Sequence, residues 1–265
     1  FSDGKRPKKI PKRHGEVRVL SVDVAISNKK DTDNTVITAF SAVERKTHYE
    51  RQQKYIQHYN GMKVPEQALA VKRLWYDFDI DYIALDVHVI GLTLYDELTK
   101  ETYDPDRDIE YPALVCYNDD DYLERAYNKN GLKIIYSING STVLNDFMIR
   151  NLRVSLNNSK LRLLQTEHDY RDMVVKQNEN WINKSEDEKV YEELPYIQTS
   201  ILVNESINLD GEQVNGRLRV KETGKNRKDR FSSLLMGDYL ITQLEYDMLK
   251  NRRTNDEDDS VFVLG

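Results

Sequence analysis

Two acids in this sequence stand where an acid is costly, and a third opens a helical pattern. Asp23 closes the apolar run V-L-S-V-D-V-A, and Asp86 lies in Y-I-A-L-D-V-H. An ionised carboxylate among β-branched neighbours is unfavourable unless it is paired or binds a cation. If the two runs are adjacent strands, their carboxylates lie close together, and a divalent ion relieves the repulsion. Hard oxygen ligands suit Mg2+ or Mn2+. The third acid, Asp229, falls in R-K-D-R-F-S-S-L-L, at the start of a helical pattern. Asp is also an ordinary N-cap. The bases around it (Lys225, Arg227, Lys228 and Arg230, with Lys221 just before) are more than a cap needs. They suit a polyanion held beside a metal. A basic run taken alone also fits a solvated loop.

Other chemistries find no support. The chain has no G-x-x-x-x-G-K-[ST] and no G-x-G-x-x-G, which argues against a P-loop ATPase or a Rossmann dehydrogenase within it. G-x-S-x-G is absent too. His14, His48, His58, His88 and His168 form no paired metal-binding spacing. His88 follows Asp86 by two residues, a position that fits a structural or exposed histidine as readily as an assisting one. The single cysteine, Cys116, excludes an internal disulfide framework and a multi-cysteine zinc site. It fits a reducing, intracellular compartment. Apolar runs such as 82–85 are far short of the ~20 residues of a membrane helix.

The elements that must position these acids follow from periodicity. Residues 17–25 read as a buried strand, 35–43 and 46–57 as two more, with a turn at 42–46. Pro65 opens a helix to Phe78. Residues 81–87 and 113–117 are short apolar runs of the kind buried on both faces of a sheet. Helices are expected over 91–100, 143–156 and 230–250, with a polar helical stretch ending near 183 and a short strand at 160–164. Residues 200–209 and 216–221 read as a hairpin around Asp210-Gly211. The 265 residues, 39% hydrophobic and 32% charged, then make one α/β domain over 17–250. Residues 1–16 read as a basic linker and 251–265 as an acidic tail. The chain starts at Phe1 rather than Met, shows no secretory signal, and reads as a fragment or a processed product. Its net charge of −6 argues against nonspecific nucleic-acid affinity over the whole surface, while the bases of 5–13 and 221–230 leave room for a local basic rim.

Acids from a first strand, a later parallel strand and a C-terminal helix describe a ribonuclease-H-like metal nuclease. On 19–25 (VLSVDVA), 83–98 (IALDVHVIGLTLYDEL), 133–146 (KIIYSINGSTVLND) and 226–240 (NRKDRFSSLLMGDYL), the sequence resembles the nuclease domain of the large terminase subunit, the DNA-packaging motor of tailed bacteriophages. The resemblance spans roughly residues 17–250. It departs at the last motif, where relatives often carry paired acids. Here Arg230 follows Asp229, and Asp238 is the only other acid of that segment.

The resemblance implies a ribonuclease-H-like mixed sheet, an antiparallel meander followed by parallel strands, flanked by helices. It implies an endonuclease that cuts concatemeric viral DNA during genome packaging, using two Mg2+ or Mn2+ ions. Asp23 and Asp86 would bridge the metals and Asp229 complete one site. Lys221, Lys225, Arg227, Lys228 and Arg230 would meet the DNA backbone. The implied partners are double-stranded DNA, an ATPase domain that nothing in this chain matches, the portal and the small terminase subunit. No membrane is involved, the isolated domain would be a monomer, and the setting would be the host cell cytoplasm. Two other readings stay open: another nuclease of this fold, such as a junction resolvase, and a non-catalytic docking domain.

Overall fold

The computed structural model describes residues 9–25, 35–177, 181–222 and 227–262. The strands β1 (Glu16–Asp23), β2 (Thr35–Glu44) and β3 (Tyr49–Tyr59) form an antiparallel meander. Helix α1 (Val64–Asp77), with Pro65 in its first turn, carries the chain back to β4 (Tyr82–Asp86), which pairs with β1 in parallel. Helix α2 (Ile90–Leu98) follows, then a small hairpin of β5 (Thr102–Asp104) and β6 (Ile109–Tyr111). Next come β7 (Leu114–Cys116), α3 (Asp120–Arg125), β8 (Leu132–Ile138), α4 (Thr142–Asn157) and β9 (Leu161–Arg162). The rest is α5 (Glu167–Gln177), α6 (Glu186–Ile207), a hairpin of β10 (Asp210–Val214) and β11 (Arg217–Lys221), and α7 (Asp229–Phe262).

The main sheet has seven strands in the order β7-β8-β4-β1-β2-β3-β9. Strands β7, β8, β4 and β1 run parallel, whereas β1, β2 and β3 alternate. This is the expected mixed sheet, an antiparallel meander followed by parallel strands. Among the described residues, no helix is long and apolar enough to cross a membrane.

Side chains of a strand alternate between faces, and here the two faces bury two separate cores. Leu20, Val22, Ile83 and Leu85 pack with Val71 of α1 and Leu94 of α2. Val19, Ala84 and Ile138 pack with Met148 and Leu152 of α4 and with Leu234, Leu240 and Ile241 of α7. Counting on by twos, Asp23 follows Val19 and Ser21, and Asp86 follows Tyr82 and Ala84. Both acids therefore belong to the face that α4 and α7 cover.

Helix α7 is locked onto that face by polar contacts as well as apolar ones. Ser21 Oγ donates to the Ser233 carbonyl at 2.7 Å, and Ser233 Oγ and Thr38 Oγ1 are hydrogen-bonded at 2.8 Å. A Cβ on Gly237 would come within 2.1 Å of the Phe40 ring, so only glycine lets the helix approach so closely. Arg51 of β3 is fully buried. Its guanidinium pairs with Asp238, reaches Glu245 at 2.9 Å, and donates to Thr242 Oγ1 at 3.0 Å and Ser155 Oγ at 3.1 Å. Asp238 is therefore structural.

On the far side, residues 9–16 pack on the domain instead of trailing from it. Arg18 is buried and donates to the carbonyls of Ile10 at 2.6 Å, Pro11 at 2.7 Å and Phe78 at 2.7 Å. Burial alone would raise the Glu16 carboxyl. Hydrogen bonds from Arg18, the Arg13 backbone and Ser41 outweigh it and hold the pKa at about 2.

Several expectations need correction. Residues 200–207 are helical, the last turns of α6, and not a strand. Ser185 and Glu188 form a capping box that starts this helix. Buried Leu202 and Glu205 then face its partners. The hairpin turns at Asn215-Gly216, both at positive φ, and not at Asp210-Gly211. Strand β8 and the β5–β6 hairpin carry no strong alternation that would mark them in the sequence. Helix α7 continues through the acidic 251–262 to Phe262.

Arg51→Met should destabilise the domain by about 3–5 kcal/mol, because two carboxylates lose their buried cation. Adding Asp238→Leu should restore part of that loss. Urea unfolding of the single and double variants checks this, and equal stability of wild type and Arg51→Met would refute it.

Candidate active site

Strands β1 and β4 pair through Val22 and Leu85, so Asp23 and Asp86 are the next residues on neighbouring strands. Both stand at the carboxyl edge of the parallel strands, where open α/β sheets tend to bind ligands. The cleft there has a volume of about 980 Å3, and its lining includes Asp23, Asp86 and Asp229. The structure thus brings the expected acids to one place. Among the described residues, no three of His, Cys, Asp and Glu already converge closely enough to cage an ion.

The turn after β4 fixes Asp86. Its Oδ1 accepts the His88 N–H at 2.9 Å, and the His88 carbonyl accepts the Gly91 N–H at 3.1 Å. A Cβ on Gly91 would fall 1.6 Å from the Asp86 carbonyl oxygen, so this position admits only glycine. Burial raises the Asp86 carboxyl, and the hydrogen bond from His88 opposes that only in part. A half-buried carboxylate in this state gains more than an exposed one from a neighbouring cation. Val89, at φ 42 and ψ −77, is strained. The other described non-glycine residues at positive φ are Asp79, Asp108, Ser159 and Asn215, polar types that tolerate it better. A β-branched residue there costs about 1–3 kcal/mol.

At the third acid, a carboxylate from another helix also meets the helix N-terminus. Asp229 begins α7, yet the backbone N–H groups of Arg230 and Phe231 donate to Glu205 Oε2, at 3.1 and 3.3 Å. Glu205 of α6 therefore serves the helix N-terminus. It also explains why Arg230 departs from its expected place. Arg230 is buried, with Nη1 on Glu205 Oε1 at 2.6 Å and Nε on Gln198 Oε1 at 2.8 Å. A guanidinium held inward by a carboxylate does not reach a DNA phosphate, so the expected contact from Arg230 is corrected.

The remaining bases are placed differently. Lys221, Arg227 and Lys228 line the cleft. Lys221 pairs with Glu212 at 2.6 Å, and Arg227 lies 3.6 Å from Glu222. Lys225 lies outside the described residues. Sequence reasoning missed Arg219, an exposed cleft residue of β11. The alternation R-L-R-V-K over 217–221 would have revealed it, since every second residue faces outward. Asp146 of α4 pins this hairpin by accepting the Leu218 N–H at 2.7 Å, and Arg150 donates to the Gly216 carbonyl at 3.3 Å. Asn145, from the same helix, also lines the cleft.

No family model matches the chain, and no curated protein does. Solved structures do resemble it in fold. The large terminase nuclease from thermophilic phage G20c, in a crystal structure with bound magnesium, is 12% identical, with 89% of this chain and 93% of that one covered at a TM-score of 0.49. The same phage nuclease with bound cobalt gives 11% identity, the same coverage and a TM-score of 0.46. A mutant nuclease domain of the large terminase subunit of bacterial virus Sf6, with manganese and beta-thujaplicinol, is 13% identical, covering 87% of each chain at a TM-score of 0.43.

Gly91→Ala should force the Asp86 turn to shift and cost about 1–3 kcal/mol, the range for overpacking a tight contact. Thermal unfolding measures it. An unchanged melting temperature would show that the turn has room that its close backbone approach denies.

Proposed function

We propose that this chain is a metal-dependent DNA endonuclease. The observation that carries the proposal is the cleft itself. Carboxylates from β1, β4 and α7 line it together with Arg219, Lys221, Arg227 and Lys228. Acids alone could bind a cation for structural reasons. Acids within a basic rim suit a cation and a phosphodiester bound together.

The donor set fits Mg2+ or Mn2+. All three acids offer hard carboxylate oxygen, and Mg2+ is commonly held by one or two carboxylates, with water and substrate phosphate completing the shell. A preformed cage is therefore not required. Asp23 and Asp86 would hold the ions, two in the full reading, and Asp229 would complete one site. Bound metal supplies a water of lowered pKa and offsets charge on the phosphate. The chain's own residues do the rest. The His88 N–H fixes one oxygen of Asp86, so the carboxylate keeps its orientation. Lys228 and Arg227 hold the backbone of the DNA and offset the charge that develops on the phosphate. Arg219 and Lys221, on a hairpin tied to α4, extend that track. Contacts of this kind position the duplex without reading its sequence.

The sequence resemblance carries the finer parts of the proposal. The DNA would be concatemeric viral DNA cut during genome packaging in the host cell cytoplasm. An ATPase domain, the portal and the small subunit would be the partners.

Asp23→Asn should reduce Mn2+-dependent cleavage of plasmid DNA to background and leave the melting temperature close to wild type. A variant that cuts at the wild-type rate would remove Asp23 from the mechanism. Lys228→Ala should weaken DNA binding and lower the slope of log affinity against log salt by about one unit, with Mn2+ binding retained. An unchanged slope with intact cleavage would return 227–228 to a solvated rim.

A further inference from the structure

The tip of the turn after β4 is not needed to hold Asp86, yet it is built in a costly way. Val89 is 72% exposed and Ile90 37% exposed. Val89 combines a positive φ with a negative ψ, a backbone that glycine would adopt with less strain. A single exposed valine is ordinary. Two adjacent apolar side chains on a strained tip, three and four residues beyond a cleft carboxylate, call for a partner. The tip cannot fold back, because the hydrogen bonds of His88 and Gly91 and the contact of Gly91 with the Asp86 carbonyl hold its base.

We infer that Val89 and Ile90 form an apolar wedge that enters the DNA duplex close to the scissile phosphate and unstacks a base step. The inference rests on the endonuclease reading and adds a specificity element to it. The partner follows from the charge of the surroundings. Arg219, Lys221, Arg227 and Lys228 share the cleft with Asp86 and His88, so the polymer brought against this tip is a polyanion. Its reach fits as well. Three residues span at most ~11 Å, and base pairs rise ~3.4 Å along the duplex. With a phosphate at Asp86, the tip therefore falls within about three base steps. Apolar side chains that enter a groove open steps by partial unstacking. Pyrimidine–purine steps such as TA and CA yield most easily. The wedge accordingly biases cutting toward those steps without any hydrogen bond to a base.

Two variants test it in the 265-residue chain. Val89→Asn replaces the first apolar group of the tip with a polar one, and Ile90→Thr trims the second. The first readout needs no catalysis: fluorescence of duplexes carrying 2-aminopurine at a TA step, with protein added in EDTA. Wild type should raise the signal at saturating protein, and both variants should lose most of that rise. The second readout maps Mn2+-dependent cut sites on long duplex DNA. Wild type should favour TA and CA steps. In Val89→Asn the preference should flatten, and the ratio of intact-duplex to single-strand cleavage should fall on the order of tenfold, the size of losing one apolar contact. A fluorescence rise without cleavage would uphold the wedge and overturn the nuclease reading. Cleavage with no rise and an unchanged cut-site map in Val89→Asn would overturn the wedge alone. Neither rise nor cleavage would overturn both and leave the tip as a protein contact.

Discussion

The parallel pairing of β1 with β4 is the constraint on which the site depends. With Val22 beside Leu85, Asp23 and Asp86 come to neighbouring positions at the same edge and on the same face. A slip of one residue would turn one acid to the opposite core. The apolar residues prevent that slip. Leu20, Val22, Ile83 and Leu85 fill the core under α1 and α2, while Val19 and Ala84 fill the other. The same burial that fixes the register also makes the carboxylates costly, and the Asp86 carboxyl is raised by it.

Helix α7 supplies the third acid and must be held as firmly as a strand. Gly237 lets it press on Phe40, Ser233 ties it to β1 and β2, and Asp238 and Glu245 grip Arg51 of β3. These contacts lie along the first half of the helix, so its N-terminus at Asp229 is fixed relative to β1. Glu205 completes the end by accepting the N–H groups of Arg230 and Phe231. Acids in one segment thus divide the work: Asp238 holds the helix down, and Asp229 faces the cleft.

Much of this was legible in the sequence because burial and chemistry marked the same residues. Asp23 and Asp86 stood out as acids inside apolar strands, and the strand–helix–strand order implied the mixed sheet. Where a signal depends on distant partners, the sequence was silent or misleading. Arg230 looked like one more base of a DNA-facing loop, and only the position of Glu205 on α6 turns it inward. Residues 200–207 looked like a strand because Ile201, Leu202 and Val203 are β-prone or apolar, but the capping box at Ser185 had already set a helix. Strand β8 pairs with two strands through only three buried residues, too few to give a clear alternation. The strain at Val89 has no sequence signature, since a valine there reads as one more residue of an apolar run.

The claim at the centre of this account is that Asp23 and Asp86 share a cation. A crystal of the chain soaked in Mn2+, with anomalous difference density measured at the manganese edge, tests it most directly. The account predicts a peak in direct contact with carboxylate oxygens of both Asp23 and Asp86, inside the cleft lined by Asp229 and Lys228. Manganese bound only elsewhere, or the two carboxyl groups too far apart for one ion to touch both, would contradict it.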